Sequence, residues 1–128
     1  MKEDKEAILA AARMGSLPAM AAVLHDFNTA RAWQPYHSPR NLAMALSVEA
    51  AELLELYLWS EDQGPQPALP SRAAQVADEA ADVLICLLNL CAAADIDLGA
   101  AFCAKVEKNA AKYPVDRAYG SARKHDEL

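Results

Sequence analysis

The sequence contains few of the residues that interrupt helices or favour strands. Four of its 128 residues are glycine, and aromatic residues make up 6% of the chain. Alanine and leucine are abundant, and both favour helices, whereas β-branched and aromatic residues favour strands. This composition excludes a strand-rich fold and predicts an all-α fold. The length suits one domain with a real core.

The sequence also lacks an excess of positive charge, since its formal net charge is -6 and its pI is about 4.9. A domain that grips nucleic acid through phosphates usually has a basic surface, so we expect no nucleic acid polymer as a partner. A small anionic ligand stays compatible with this charge, because a bound metal ion can reverse the local field.

No apolar run reaches the roughly 20 uncharged residues of a membrane span, so we expect no membrane partner. The N-terminal residues are charged where a signal peptide needs an apolar core, which predicts a cytoplasmic location. Residues 125–128 match an endoplasmic-reticulum retention signal by letters. That signal is read only on proteins that have entered the lumen.

Cysteine is scarce, and the three that occur form no C-x-x-C pair. Cys86, Cys91 and Cys103 lie in apolar helical runs, and their number is odd. The pattern predicts buried free thiols rather than a disulfide framework or a zinc site.

Prolines, glycine and capping residues divide the chain into segments. We expect a mobile or loosely helical extension over 1–15, a helical domain over 16–114 and an extended tail over 115–128. Within the domain the pattern predicts four helices, at about 17–32, 39–58, 71–94 and 98–112, with a loop at 61–71. Ser16, Ser38 and Asp97 are the predicted N-caps.

The helices predicted at 39–58 and 71–94 are apolar around more than half of their circumference. A lone four-helix domain exposes the outer face of each helix to water. The excess apolar surface therefore predicts a four-helix all-α bundle that is completed by oligomerisation.

Two pairs of acidic residues interrupt these two apolar helices. Glu49 and Glu52 form one pair, and Glu79 and Asp82 form the other. Residues three apart share one face of a helix, so each pair projects side by side. A solvated stripe explains one such pair, but two pairs in apolar helices favour a metal site, because buried carboxylates need a partner.

Carboxylate oxygens suit Mg²⁺, with Mn²⁺ as an alternative ion. The competing interpretation is a di-iron bundle, whose sites use Glu-x-x-His motifs. Neither acid pair has that histidine. Glu55 and Asp78, close to the pairs, are expected to face solvent.

The break between the first two predicted helices is rich in groups that stack or hydrogen-bond. Trp33 and His37 lie in it, and Trp59 follows the second helix. These side chains either contact a base, as aromatic groups do in nucleotide pockets, or fill the core and bond locally.

A polar row follows on the fourth predicted helix. Lys105, Asn109 and Lys112 share a face at i, i+4 and i+7, and Tyr113 adjoins them. The row suits phosphate oxygens. A basic last turn that complements the helix dipole explains it equally well.

The ordered motifs resemble the MazG-like all-α nucleoside triphosphate pyrophosphohydrolases, and the wider pattern is similar to their dCTP pyrophosphatase branch. Glu49-x-x-Glu52 followed by Glu79-x-x-Asp82 carries the resemblance. It also rests on the His-x-Pro-Arg-Asn segment at 37–41, on Trp59, and on residues 105–114 with their Lys-Tyr-Pro ending. The similarity covers about 17–119.

The resemblance implies a Mg²⁺-dependent, cytosolic enzyme, dimeric or tetrameric, that cleaves a nucleoside triphosphate such as dCTP to the monophosphate and pyrophosphate. The four acids would hold Mg²⁺, and one of Glu49 and Glu52, Glu49 slightly ahead, would activate the water. The implied substrate contacts are Trp33, His37, Trp59, Lys105, Asn109, Lys112 and Tyr113.

Two positions depart from the family pattern. Val48 stands where many members carry a further glutamate, and Cys86 stands where the dCTP branch often has tyrosine. The missing tyrosine weakens the expectation of dCTP specifically and leaves the reaction class intact. The alternative function is a non-catalytic helical module that binds nucleotide or a partner protein.

Overall fold

The computed structural model describes residues 2–59 and 72–128, and these residues form helices and no strand. The α-helices are α1 (Lys2–Arg13), α2 (Leu17–Thr29), α3 (Pro39–Glu55), α4 (Ala73–Ala93), α5 (Leu98–Lys112) and α6 (Val115–Ala118). Single 3₁₀ turns occur at Gln34–Tyr36 and His125–Glu127. The predicted all-α class is confirmed. The loop predicted at 61–71 lies outside the described residues.

Side-chain caps fix where three of the helices begin. Ser16 accepts a hydrogen bond from the Ala19 amide at 3.4 Å, and Ser38 accepts one from Asn41 at 3.2 Å. Asp97 accepts one from the Ala100 amide at 3.0 Å. Each cap satisfies an amide that the first helical turn leaves unpaired. The predicted starts of α2, α3 and α5 are therefore confirmed.

Helices α2 and α3 each end three residues earlier than predicted. Ala32 has a left-handed backbone with φ of 51°, and Trp59 has φ of 60°. The chain leaves α2 through a turn in which the Trp33 amide donates to the Asn28 carbonyl at 3.1 Å. Neither ending carries the glycine that usually marks a helix terminus, so the sequence pattern predicted both helices too long.

The N-terminal residues that we expected to be mobile or loosely helical form α1, which packs against α2. The connection turns at Gly15, whose φ is 85°. The Gly15 amide donates to Ala12 at 3.0 Å, and the Ser16 amide donates to Ala11 at 3.1 Å. A residue with a Cβ would be strained at this backbone angle, which makes glycine the natural choice there.

The chain forms two compact units, of which one ends at Asp95 and the other is Ile96–Leu128. In the first unit α4 packs against α3 and α2, with Leu42, Leu88 and Cys91 in the core. Asp95 has φ of 54° at the boundary. The boundary lies inside the single helical domain that we predicted over 16–114, because a short connection there resembles any other helix turn.

The second unit contains α5, α6 and the C-terminal 3₁₀ turn. The Arg117 guanidinium donates to the Leu128 carbonyl, and the rings of Tyr113 and His125 meet edge to face at 5.9 Å. We had expected an extended tail over 115–128, whereas parts of this segment form α6 and a 3₁₀ turn. The polar composition suggested an extended tail, but the contacts of Arg117 and His125 hold this segment in a folded conformation.

The cysteines divide into three environments. Cys91 is buried, Cys86 is half-buried and Cys103 is exposed, and all three are free thiols. The prediction of free thiols is confirmed, whereas the prediction of burial is wrong for Cys103. An apolar helical run surrounds Cys103 in sequence, but its position on α5 turns the thiol outward.

Among the described residues no single helix is both long and apolar enough to cross a membrane. Helices α4 and α5 reach that length and composition only when taken together across their break.

Replacing Asp97 by alanine should destabilise α5, since the Ala100 amide would lose its cap. The loss is about 1 kcal/mol of unfolding free energy, measured by urea denaturation followed by circular dichroism. Asp97→Ser, which keeps a capping oxygen, is the matched control and should lose much less. Equal losses in the two variants would contradict a capping role for Asp97.

Candidate metal and ligand site

Functional side chains follow one face of α3 and one face of α4. The spacing i, i+3, i+7, i+10 places these residues on each face: Leu42, Ala45, Glu49 and Glu52 on α3, and Glu79, Asp82, Cys86 and Asn89 on α4. The acids come late in α3 and early in α4, and the other four residues, at the opposite ends, line one cavity. Both sets can meet only if the helices pack antiparallel.

The acids gather where the two faces meet. Glu49, Glu79 and Asp82 each place one carboxylate oxygen within 4.8 Å of the others. Glu52 lies next to this group, close enough for its carboxylate to raise the pKa of both Glu49 and Glu79. The structure therefore brings all four predicted acids together, with Glu52 at the side of a group of three.

Crowding shifts the protonation of two of these acids. The hydrogen bond to Glu52 raises the pKa of Glu49, and burial and the charges of Glu52, Asp82 and Glu79 raise it further. Burial is the first cause that raises the pKa of Glu79, followed by the charges of Glu52 and Asp82. The two raised pKa values mean that burial and neighbouring negative charge oppose ionisation of these glutamates.

The group fits a divalent cation by its unpaired oxygens. Oε2 of Glu49 and Oε2 of Glu79 are buried, and neither has a hydrogen-bond partner among the described residues. Such atoms are normally paired or bound to metal. Three carboxylates supply the hard oxygen donors that Mg²⁺ and Mn²⁺ prefer.

A cavity of about 390 Å³ adjoins the acids. Its lining comprises Val23, Leu24, Phe27, Asn28, Trp33, Tyr36, His37, Asn41, Leu42, Ala45, Ile85, Cys86 and Asn89. Burial raises the pKa of the Cys86 thiol, and so do the charges of Glu49 and Asp82. Cys86 thus joins the cavity to the acidic group, and an apolar part of a ligand would lie beside its charged part.

An aromatic corner forms one wall of this cavity. The Trp33 ring meets Phe27 edge to face at 5.8 Å and lies 6.3 Å from the His37 ring. The Arg31 guanidinium lies 3.5 Å over the centre of the Phe27 ring, and such contacts stabilise both groups. Trp33 is 42% exposed, so one part of the indole packs locally and another remains accessible.

Trp59, the other predicted aromatic contact, lies elsewhere. It is 94% exposed in the described part of the chain and lines neither this cavity nor the second one. This residue follows the end of α3 and has a left-handed backbone. Sequence proximity to the acids did not reveal that position.

The sequence did not identify an amide pair, one buried and one half-buried residue, that lines two cavities. Asn28 Nδ2 donates to Asn89 Oδ1 at 3.0 Å and thereby links α2 to α4. Both residues line the cavity of about 390 Å³ and a second one of about 250 Å³, which His25 and Gln34 also line. The available signal was an asparagine within an apolar stripe of each helix.

The predicted polar row belongs to the second unit. Lys105, Asn109 and Lys112 are exposed on α5, and their spacing gives them a common face. Tyr113 caps the end of that helix, is 38% exposed, and contacts His125 as described above.

The arrangement of acids and cavity can be compared with known proteins. Residues 44–128 match the sequence profile of the MazG-like family. The chain belongs to the MazG-like family. The resemblance inferred from the acid pairs is thereby confirmed, and the matched range contains all four carboxylates.

Curated relatives extend the match to the dCTP pyrophosphatase branch. The chain is 41% identical over 105 residues to dCTP pyrophosphatase 1 of Rattus norvegicus and to that of Homo sapiens. Each match covers 80% of this chain and 62% of the relative. This MazG-like chain therefore spans less than two thirds of the length of those proteins.

A solved structure of a pyrophosphatase is similar in fold to this chain. A pyrophosphatase from Archaeoglobus fulgidus DSM 4304 is 40% identical and superposes with a TM-score of 0.66. The match covers 74% of this chain and 89% of that one. The predicted MazG-like helical fold is therefore confirmed.

The raised pKa values predict how the metal-free protein responds to pH. The folded state holds protons on Glu49 and Glu79 more tightly than the unfolded chain, whose ordinary glutamate pKa is 4.5. This contribution to stability is fully present below that value and is lost as pH rises through the raised pKa values. Near pH 7.5, Glu79→Gln should therefore raise the melting temperature in chelator.

The same substitution should give no such gain near pH 4, where the wild-type carboxyl is already protonated. Glu55→Gln, on the exposed end of α3, is the control and should shift the melting temperature little at either pH. A Glu79→Gln variant no more stable than wild type at pH 7.5 would show that the acids do not repel one another.

Proposed function

We propose that this MazG-like chain is a nucleoside triphosphate pyrophosphohydrolase that depends on a divalent metal ion. The observation that carries the proposal is the buried, unpartnered Oε2 atoms of Glu49 and Glu79 beside Asp82. They adjoin an aromatic cavity suited to a base. The names of the relatives, dCTP pyrophosphatase 1 and a pyrophosphatase, support the same reaction.

The proposed substrate is dCTP or a related pyrimidine deoxynucleotide, with the monophosphate and pyrophosphate as products. The aromatic corner of Trp33 and His37 offers ring faces and edges to a base. Nucleotide-pool sanitation in the cytoplasm is the corresponding cellular role. Trp59, and the row of Lys105, Asn109, Lys112 and Tyr113, remain substrate contacts predicted from sequence.

Glu49, Glu79 and Asp82 would hold Mg²⁺, or Mn²⁺ in its place, and Glu52 would complete the acidic group. When bound, the ion supplies positive charge that offsets the charge of the phosphates. The carboxylates would hold that charge near Cys86, which lines the cavity and feels the charges of Glu49 and Asp82. The apolar lining excludes water from the base and fixes the direction in which the triphosphate extends.

Glu52 is the better placed of the two predicted water-activating residues. From sequence we ranked Glu49 slightly ahead, but Glu49 is one of the three acids whose oxygens converge. Glu52 lies beside that group and is not one of the three, so we assign to its carboxylate the role of orienting a water and accepting its proton. The water oxygen bonds to phosphorus, the α–β anhydride breaks, and pyrophosphate leaves.

A screen of nucleoside triphosphates for pyrophosphate release tests this function. We expect metal-dependent release, highest with a pyrimidine deoxynucleotide. Glu52→Gln should lower kcat by about 10²–10⁴-fold, because the amide cannot accept the proton. It should retain the thermal stabilisation that Mg²⁺ gives, whereas Glu79→Gln should lose it.

The screen also separates the alternatives. Saturable nucleotide binding with no release by the folded wild type would favour the non-catalytic binding module. Bound iron with an absorption band would favour a di-metal oxidase. Full activity in Glu52→Gln would assign the water-activating role to another residue and return Glu49 to first place.

We also propose that the chain functions as a homo-oligomer, a dimer or a tetramer. Met44 and Val48, one turn apart on the outer face of α3, are 59% and 55% exposed. Exposed apolar rows of this kind mark association surfaces. A second copy that packed its own α3 there would bury both rows.

Met44→Lys should therefore shift the protein to a smaller species in sedimentation experiments, since a lysine ammonium is costly to bury. Ala43→Lys is the control, because adjacent helical residues point about 100° apart. An unchanged mass for Met44→Lys would exclude this face of α3 from the interface.

A further inference from the structure

The amide pair of Asn28 and Asn89 is more than a link between two helices. Asn28 is only 8% exposed, and its Nδ2 donates to Asn89 Oδ1 at 3.0 Å. A single bond between two amides uses one donor and one acceptor. An asparagine side chain offers two donors and an oxygen acceptor, so most of the capacity of the pair remains.

The remaining donor and acceptor atoms of the two amides are accessible rather than fully buried. No further side-chain hydrogen bond of Asn28 or Asn89 occurs among the described residues. The buried side-chain atoms without a partner in that part of the chain are both glutamate oxygens, Oε2 of Glu49 and of Glu79. Asn28 Oδ1 and Asn89 Nδ2 therefore reach accessible space, and the cavities that both residues line supply it.

The position of the pair determines which part of a ligand would meet it. Asn89 lies one turn beyond Cys86 on the face of α4 that carries Glu79 and Asp82. A ligand with its charged end at the acids and its ring in the cavity would extend towards Asn89. Phe27 and Trp33 lie on the same cavity wall and offer contact to the ring.

We propose that Asn28 and Asn89 read the hydrogen-bonding edge of the base and set the base preference of this site. The pair presents the acceptor Asn28 Oδ1 beside the donor Asn89 Nδ2, and Asn28 Nδ2 keeps one further N–H. This inference rests on the proposed function, because it assigns the specificity of the same site. It concerns pyrimidine rings, whose edge carries adjacent donor and acceptor groups.

The pair can present that pattern in either order. If both amides rotate by 180°, Asn89 donates to Asn28, and the free donor and acceptor exchange places. Cytosine offers an amino donor beside a ring-nitrogen acceptor, while uracil and thymine offer a carbonyl acceptor beside an N–H donor. The wild-type pair can therefore match cytosine in one order and uracil or thymine in the other.

A carboxylate in place of the Asn89 amide should remove this freedom. The carboxylate would accept from Asn28 and leave position 89 with acceptors only. With the exocyclic group of the base at that position, the carboxylate suits the cytosine amino group and repels the uracil carbonyl. In Asn89→Asp, the ratio of kcat/KM for dCTP to that for dUTP should rise by about tenfold or more. The ratio cancels any effect on metal or phosphates, which the two substrates share.

Asn89→Leu is the matched control, since leucine has a similar size and no hydrogen-bonding group. It should lower kcat/KM for both nucleotides and leave their ratio within about threefold of wild type. Circular dichroism and thermal melts establish that each variant is folded. A ratio unchanged in Asn89→Asp, with turnover retained, would overturn the inference and leave the amides as a structural link.

Equilibrium binding of dCMP and dUMP, followed by calorimetry, separates this inference from the proposed function. If the wild type hydrolyses no triphosphate, the proposed function fails. The inference would still predict that Asn89→Asp favours dCMP over dUMP by about the same factor. Absence of binding by both monophosphates, or binding with no change in preference, would overturn it.

Discussion

Mutual repulsion among carboxylates between α3 and α4 is the constraint on which this structure depends. The apolar faces of the two helices pack together and carry Glu49, Glu79 and Asp82 into one group. Burial and like charge oppose ionisation of the glutamates, and two of their oxygens have no partner in the described chain. The helix pair therefore contains a charge imbalance that a bound cation would relieve, which would couple binding of the cation to stability.

The same helix pair also organises recognition. Leu42 and Ala45 precede the acids on α3, while Cys86 and Asn89 follow them on α4, and all four line one cavity. Packing that places the charged groups together thus also places together the groups proposed to contact the base. Helix α2 completes the site by adding Phe27 and Asn28, whose amide bonds to α4.

Local patterns made much of this predictable. The caps at Ser16, Ser38 and Asp97 depend on neighbouring residues, and the i, i+3 acids were visible because helical spacing is regular. The Asn28–Asn89 bond joins residues 61 apart, so no local pattern contains it. The exposure of Trp59 and Cys103 depends on tertiary packing, which local patterns do not contain either. The exposure of these two side chains was therefore harder to predict from sequence.

The repeated spacing on α3 and α4 has a consequence for how such proteins can diverge. Seven residues separate Asp82 from Asn89, about 10 Å along the helix axis. In the proposed site, substitutions in the later half of α4 would therefore alter the ligand that is recognised, while the acids keep their places. Inserting or deleting one residue between them would rotate one half by about 100° relative to the other. Related proteins can thus differ in the side chains of this helix pair more readily than in the length of its helices.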